Sequence, residues 1–418
     1  MRVALASFGT RGDMQPLVCV GHELARRGHR VKLLAGSNAA EMADAAGLEF
    51  APLPVDTQRL FRSPTAQRML AGGRLSAFFR WLWKEERAFA AGISEVLIEH
   101  TDGADLLVSN VFLEMRCRAI AEAREVGWLP IHLFPHIPSR SYVCPALPQR
   151  DLRPLNRASH EVLFEMAWRG QRADIAAIRD RLGLRPATRT LFTDATKGRL
   201  PSVQAYSRAI FPAPADWPAA ARPSGPILAS LDLRERFGEA GIGKDLETWL
   251  GAGPPPVFFG FGSMPVLDER SMLATIRTVV TELGARGIVA AGWSELDARV
   301  DDDSIFVVGE VDHRALLPRC AAAVHHGGAG TLAVGVAAGA PTLVCSVFGD
   351  QPFWGSRCRA LGIGETFPFK RLDAARLRAG LEAVLGPRVA IRAGEMGKVV
   401  AAEDGLGEAV GRIEAAGS

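Results

Sequence analysis

The chain has 418 residues, enough for two or three domains that each bury a core. Apolar residues make up 48% and charged residues 23%, an ordinary globular balance, and a net charge of +3 is too small to imply a nucleic-acid partner. Cys19, Cys117, Cys144, Cys320, Cys345 and Cys358 are scattered without a CxxC pair, mostly in apolar runs, which predicts reduced core thiols in a cytoplasmic protein.

The opening MRVALASFG reads as a strand and a glycine, its apolar run too short for a signal peptide. Val3 to Ser7 is that strand, and Phe8-Gly9-Thr10-Arg11-Gly12-Asp13 is a loop. Pro16 to Arg27 has helical spacing and stops at Gly28. A second strand, Val31 to Ala35, precedes a short helix, Asn38 to Ala46. Leu106 to Ser109 and Pro130 to Phe134 are further strands, with a helix from Glu114 to Glu125 between them. This alternation predicts a parallel sheet covered on both faces. Between Thr57 and His100 the text is helical, with Phe61, Phe78, Phe79, Trp81, Trp83 and Phe89 among basic residues. These aromatics suit an amphipathic insert packed on the domain, a pocket for an apolar ligand, or contact with a membrane surface.

Asp151 to Leu184 is charged and helical, and Ser202 to Ser207 is a strand. Five prolines between Phe211 and Pro226 mark a linker. The predicted domains are therefore 1–211 and 227–400 with the linker at 212–226, and 401–418 is a closing helix that returns to the first domain. The second half repeats the rhythm with strands Val257 to Gly260, Gly287 to Ala291 and Ile305 to Val308, and a helix from Glu269 to Gly284. Cys320 to Gly349 contains no Asp, Glu, Lys or Arg, which raises a transmembrane reading. Five glycines between Gly327 and Gly339, followed by Pro341, exclude one membrane helix. The stretch reads instead as strand Ala321 to His325, a loop of small residues, helix Thr331 to Ala338, and strand Thr342 to Phe348. No integral membrane segment is predicted, and the sequence carries no signal for oligomeric state. The fold class is α/β: two doubly wound, Rossmann-like domains facing a central cleft at the carboxyl ends of their strands.

Three loops follow strand ends and face that cleft: GTRGD at 9–13, GFGSM at 260–264 and HHGGAGT at 325–331. None is a Walker A loop. Gly36-Ser37-Asn38 stands where a dinucleotide fingerprint needs a carboxylate, which argues against a nicotinamide cofactor. In the third loop the glycines open a helix, where unpaired N–H groups and the helix dipole favour a phosphate.

HHGGAGT, then GDQPFWG, with GFGSM, GTRGD and HRALLPRCAAAVHHGG in the same order, resembles the family-one glycosyltransferases. The similarity is greatest to their bacterial natural-product and sterol glucosyltransferase branches. The resemblance spans residues 1 to about 370 and implies the GT-B fold, with the acceptor on the first domain and a nucleotide sugar on the second. It assigns His326 and Thr331 to the donor diphosphate, with the amides of Gly328 and Gly330 and the hydroxyl of Ser263 beside them. Asp350 and Gln351 would hold sugar hydroxyls, favouring glucose over a deoxysugar, although an aspartate there also suits a helix cap. Asp13 is the general base implied for the acceptor hydroxyl, with helix capping as its other role. Arg11, next to Gly12, would approach the donor phosphates or pair with a carboxylate nearby. The family's Trp-x-Pro-Gln segment is replaced by Val308-Gly309-Glu310-Val311-Asp312-His313. The nucleotide base would then rest on backbone near Val311, with Trp293 as an aromatic face or a core residue.

The D-x-D within Asp301-Asp302-Asp303 reads as a turn of solvated charge, and no His/Cys cluster has metal spacing. The expected reaction is inverting, uses no metal or other cofactor, and moves a hexose from a UDP-sugar, or a dTDP-sugar, to an apolar small-molecule acceptor. A nucleotide-sugar epimerase or hydrolase and a binding protein without turnover are the rival readings.

Overall fold

The structure, a computed structural model, describes residues 1–71, 75–187, 201–262, 269–290, 300–302, 304–309 and 311–417. Six parallel strands form the first sheet: β1 (Arg2–Ser7), β2 (Arg30–Gly36), β3 (Glu49–Leu53), β4 (Leu106–Asn110), β5 (Gly127–His132) and β6 (Val203–Gln204). Their order is β3-β2-β1-β4-β5-β6. The second sheet comprises β7 (Val257–Gly260), β8 (Gly287–Ala290), β9 (Val300–Asp302), β10 (Ile305–Val308), β11 (Ala322–His325), β12 (Thr342–Ser346) and β13 (Gly364–Pro368). It runs β13-β12-β11-β7-β8-β10-β9, with β9 alone antiparallel. The result is two doubly wound, Rossmann-like domains.

The central strands are apolar throughout because both faces are covered. β1 is buried from Val3 to Ser7 and pairs in register with β2 (Val3 opposite Val31) and β4 (Val3 opposite Leu106). In the first sheet the winding reverses between β1 and β4, and in the second between β11 and β7. Ligand crevices form at such reversals. The loops there are the GTRGD segment after β1 and the HHGGAGT segment after β11.

Several elements differ from the sequence expectation. β3 and β13 were not anticipated because each contains a proline. Both are edge strands, where a missing N–H leaves no ladder bond unmade. β5 lies earlier than Pro130 to Phe134, and β6 is only two residues long. The first helix spans Arg11–Arg26, so Arg11, Gly12 and Asp13 form its first turn rather than a loop. Pro16, which suggested a helix start, lies inside it. The 57–100 segment is helical as Thr57–Arg62, Pro64–Ala71 and Leu75–His100.

The domains meet through aromatic side chains. Phe61 and Phe78 from the helical insert pack against Phe348, with ring centroids 6.1 and 5.7 Å away. Tyr206 lies 5.6 Å from Trp354, and Phe211 lies 5.1 Å from Phe353. Arg357 donates twice to the Ile210 carbonyl, at 3.1 and 3.0 Å. After the 212–226 segment, Ile227, Ala229 and Leu233 still belong to the first domain's core. Helix Gly405–Ala416 inserts Ala409, Val410 and Ile413 into that same core. The chain thus passes between domains twice, after Leu233 and again before Gly405, and Gly405 packs on the backbone of Gly225. A Cβ on Gly405 would lie 2.2 Å from the Pro226 carbonyl oxygen. Among the described residues no helix is long and apolar enough to cross a membrane, and all six cysteines are free thiols.

Candidate active site

Asp13 owes its position to local capping. Thr10 precedes the Arg11–Arg26 helix, and the Asp13 carboxylate reaches back to accept from the Thr10 N–H at 2.7 Å and its hydroxyl at 2.9 Å. Both bonds fall on Oδ2, leaving Oδ1 without a partner among the described residues. Capping and a chemical role therefore use different oxygens. Gly9 is required here because its φ is +135° and a Cβ would lie 2.3 Å from Asp13 Oδ2. Asn110 ties β4 to β1 below the site, donating to Ser7 Oγ at 3.1 Å and to the Phe8 carbonyl at 2.6 Å. Burial pushes the Asp13 carboxyl up from 3.8 to about 6, against the two Thr10 hydrogen bonds that favour the anion.

The HHGGAGT loop of the second domain faces this helix. Helix Ala329–Ala337 begins two residues earlier than its sequence pattern suggested, with Gly328 as N-cap. Leu332 is the first residue to close back onto Gly328, so the N–H groups of Ala329, Gly330 and Thr331 are left for another acceptor. Gly12 and Pro16 of the first helix line one crevice with Ala329, Gly330, Ala333 and Trp354, which brings the starts of the two helices together. The His326 ring lies against Gly262 and Gly328, where a Cβ would lie 3.2 Å and 2.6 Å from ring atoms. Its Nδ1 is buried without a hydrogen-bond partner. Burial, reinforced by His313, lowers His326 to about 4, so the ring is neutral at neutral pH. His325 is fully buried, and its Nδ1 accepts from the Gly327 N–H at 2.9 Å, pinning the turn.

Asp350 immediately precedes helix Gln351–Leu361 but makes no capping bond to it. Its Oδ2 instead accepts from the Trp354 indole N–H at 2.6 Å. Burial, with a smaller contribution from the charge of Asp13, raises the carboxyl from 3.8 to about 7 against that bond. Gln351 is buried, and its side-chain oxygen accepts from the N–H groups of Val347 and Phe348, at 2.8 and 3.2 Å. Here its amide oxygen fixes the loop that presents Asp350.

Arg11 pairs with Glu239 and donates to Gln15 at 3.2 Å. Val311 is half-buried beside the core of Trp249, Phe306 and Val308. Ser263 and Trp293 lie outside the described residues, as do Asp303 and the Asp301 and Asp302 side chains. Asp301 and Asp302 belong to strand β9 rather than to a turn.

Sequence reasoning did not find Thr10, Trp354 or Glu239. The Thr10-x-x-Asp13 spacing is a capping-box signal, and Trp354 stands one helical turn after Asp350. Glu239 has no local signal because it meets Arg11 only through the domain arrangement. A further cluster went unread: Glu114 comes from the helix after β4, and His132 and His136 from the end of β5 and the loop after it, with one ligating atom of each within 4.8 Å of the others.

Residues 3–97 match the glycosyltransferase family 28 N-terminal domain, and residues 279–415 match the C-terminal domain of the erythromycin biosynthesis protein CIII-like family. Over 399 residues the chain is 31% identical to an uncharacterised glycosyltransferase of Mycobacterium leprae, covering 95% of this chain and 92% of that one. This chain belongs to the family-one-like glycosyltransferases. The glycosyltransferase is also 30% identical over 441 residues to a sterol 3-beta-glucosyltransferase of Arabidopsis thaliana, covering 98% of this chain and 64% of that protein's length. Its fold is GT-B. The crystal structure of the glycosyltransferase of kitacinnamycin matches with a TM-score of 0.73 at 20% identity, covering 99% and 98% of the two chains. The glycosyltransferase VinC in complex with dTDP matches with a TM-score of 0.69 at 20% identity, covering 100% and 99%.

Proposed function

We propose that this glycosyltransferase moves glucose from UDP-glucose to a hydroxyl of an apolar, sterol-like or natural-product acceptor, with inversion and without a metal ion. The observation that carries the reading is one crevice in which Gly12 and Pro16, flanking Asp13 on the first helix, meet the start of helix Ala329–Ala337 and Trp354, whose indole holds Asp350. In this mechanism Asp13 Oδ1 takes the proton as the acceptor oxygen attacks the anomeric carbon. The bond from that carbon to the diphosphate breaks, and the nucleoside diphosphate leaves with the electron pair. The free N–H groups of Ala329, Gly330 and Thr331 suit the charge that develops on it, as does the unpartnered ring nitrogen of neutral His326. Asp350 suits a sugar hydroxyl, and Gln351 acts by holding the loop.

The sterol 3-beta-glucosyltransferase relative supports glucose and an apolar acceptor. The dTDP complex of VinC supports a second reading, a dTDP-deoxysugar donor. Calorimetric titration with UDP, dTDP and UDP-glucose, without added metal, distinguishes them in the wild type and His326→Ala. UDP binding that His326→Ala weakens at least tenfold is the expected result. A preference for dTDP favours the second reading, and absence of any nucleotide binding refutes both.

A further inference from the structure

Glu114, His132 and His136 sit at the carboxyl edge of the first sheet, and the proposed transfer uses none of them. Glu114 opens the helix after β4, His132 ends β5, and His136 lies in the loop beyond. Glu114 and His132 are 4% and 1% exposed, whereas His136 is half-buried and gives the cluster one open side. Glu114 Oε2 lies 3.2 Å from His132 Nε2, and Glu114 Oε1 is buried with no hydrogen-bond partner. A buried carboxylate oxygen without a donor is costly until something positive completes it. The two imidazoles lie tilted at 48° with centroids 4.7 Å apart.

We propose that Glu114, His132 and His136 bind one divalent transition-metal ion of the zinc class. Two imidazoles and a carboxylate form a three-ligand zinc set, with the fourth position open on the His136 side. Zinc sits about 2.0–2.2 Å from such ligands, so the atoms must draw together. His136 is the one ligand carried by a loop rather than by a strand or helix.

The tautomer of His132 is the critical point. Without an ion, Gln204 Nε2 stands 2.9 Å from His132 Nδ1, which leaves Nε2 protonated toward Glu114. Coordination through Nε2 requires the ring proton to move to Nδ1 and the Gln204 amide to turn its oxygen there. The other partners of that amide are the Ser202 hydroxyl at 2.9 Å and the Tyr206 hydroxyl at 3.3 Å. Hydroxyls donate or accept as they rotate, so the network accommodates both orientations with no proton released. Gln204 is thus a positioning residue that fixes the ligand tautomer. A bound ion would tie the β4 crossover to the loop that carries Ile137 and Tyr142 into the interdomain core.

The test is titration of the EDTA-treated full-length protein with Zn²⁺ and with Co²⁺, followed by calorimetry and Co²⁺ visible absorption. One ion per chain is expected, with the intense absorption of a tetrahedral nitrogen–oxygen site. His136→Ala should abolish both signals while nucleotide binding persists, which shows that the fold is intact. Gln204→Ala should weaken the affinity about 10–100-fold. Absence of saturable binding by the wild type, or equal binding by His136→Ala, overturns the proposal.

Discussion

An Asp13→Asn substitution keeps the shape of the side chain and removes its charge. The Thr10 N–H still finds a carbonyl oxygen, and the Thr10 hydroxyl can rotate to serve the new amide. The carboxyl shifts from 3.8 to about 6, and at 1.36 kcal/mol per pH unit that corresponds to roughly 3 kcal/mol of cost for the anion. Water reaching the half-buried side chain reduces this to about 1–3 kcal/mol. Because the folded value is raised, this group's contribution to stability is complete below the unfolded value and lost as pH climbs through about 6. The asparagine variant should therefore be more stable than the wild type at about pH 8 by that amount, with the gap closing toward about pH 4. Urea unfolding at both pH values measures it. The same variant should lose about 10²–10⁴-fold in turnover with UDP-glucose if Asp13 is the base. Unchanged turnover refutes the catalytic role, and a variant less stable at about pH 8 refutes the electrostatic argument.

In the wild type, kcat/KM should fall as pH drops through about 7 and then about 6, as Asp350 and Asp13 take protons. A flat profile across that range would contradict both assignments. Trp354→Phe removes the hydrogen bond that lowers the Asp350 carboxyl. It should move the acid limb upward and cost about 0.5–1.5 kcal/mol in thermal unfolding. Gly328→Ala drives a Cβ into the His326 ring at 2.6 Å. It should weaken UDP binding by about 1–3 kcal/mol, measured by calorimetry, if the ring is displaced. Arg11→Ala removes a partly exposed ion pair with Glu239 and should change stability by less than about 1 kcal/mol.

The central strands and the glycine-rich loop after β11 were readable because their signals are local: apolar runs, small residues and a helix stop within one stretch. β3 and β13 were not, because Pro52 and Pro368 argue against strands unless the edge position is known. Asp13 was read as a loop residue because Pro16 suggests a helix start, whereas the Thr10 cap places that start at Arg11. Aromatics 61 and 78 admit several readings in sequence because Phe348, which they pack against, is distant along the chain. His132 and His136 stand four residues apart, but Glu114 gave no local signal because the parallel sheet brings it from the neighbouring crossover.

The contact between Gly225 and Gly405 anchors the chain where it returns to the first domain. Gly405 opens the closing helix, whose Ala409, Val410 and Ile413 fill the first core. Bare backbone at that contact lets the returning chain lie directly on the end of the 212–226 segment. A methyl group at residue 405 would meet the Pro226 carbonyl oxygen at 2.2 Å and wedge the two apart. Gly405→Ala would then shift the closing helix on the first sheet without touching Asp13 or Asp350, making this distant glycine a control on how the domains that carry them align.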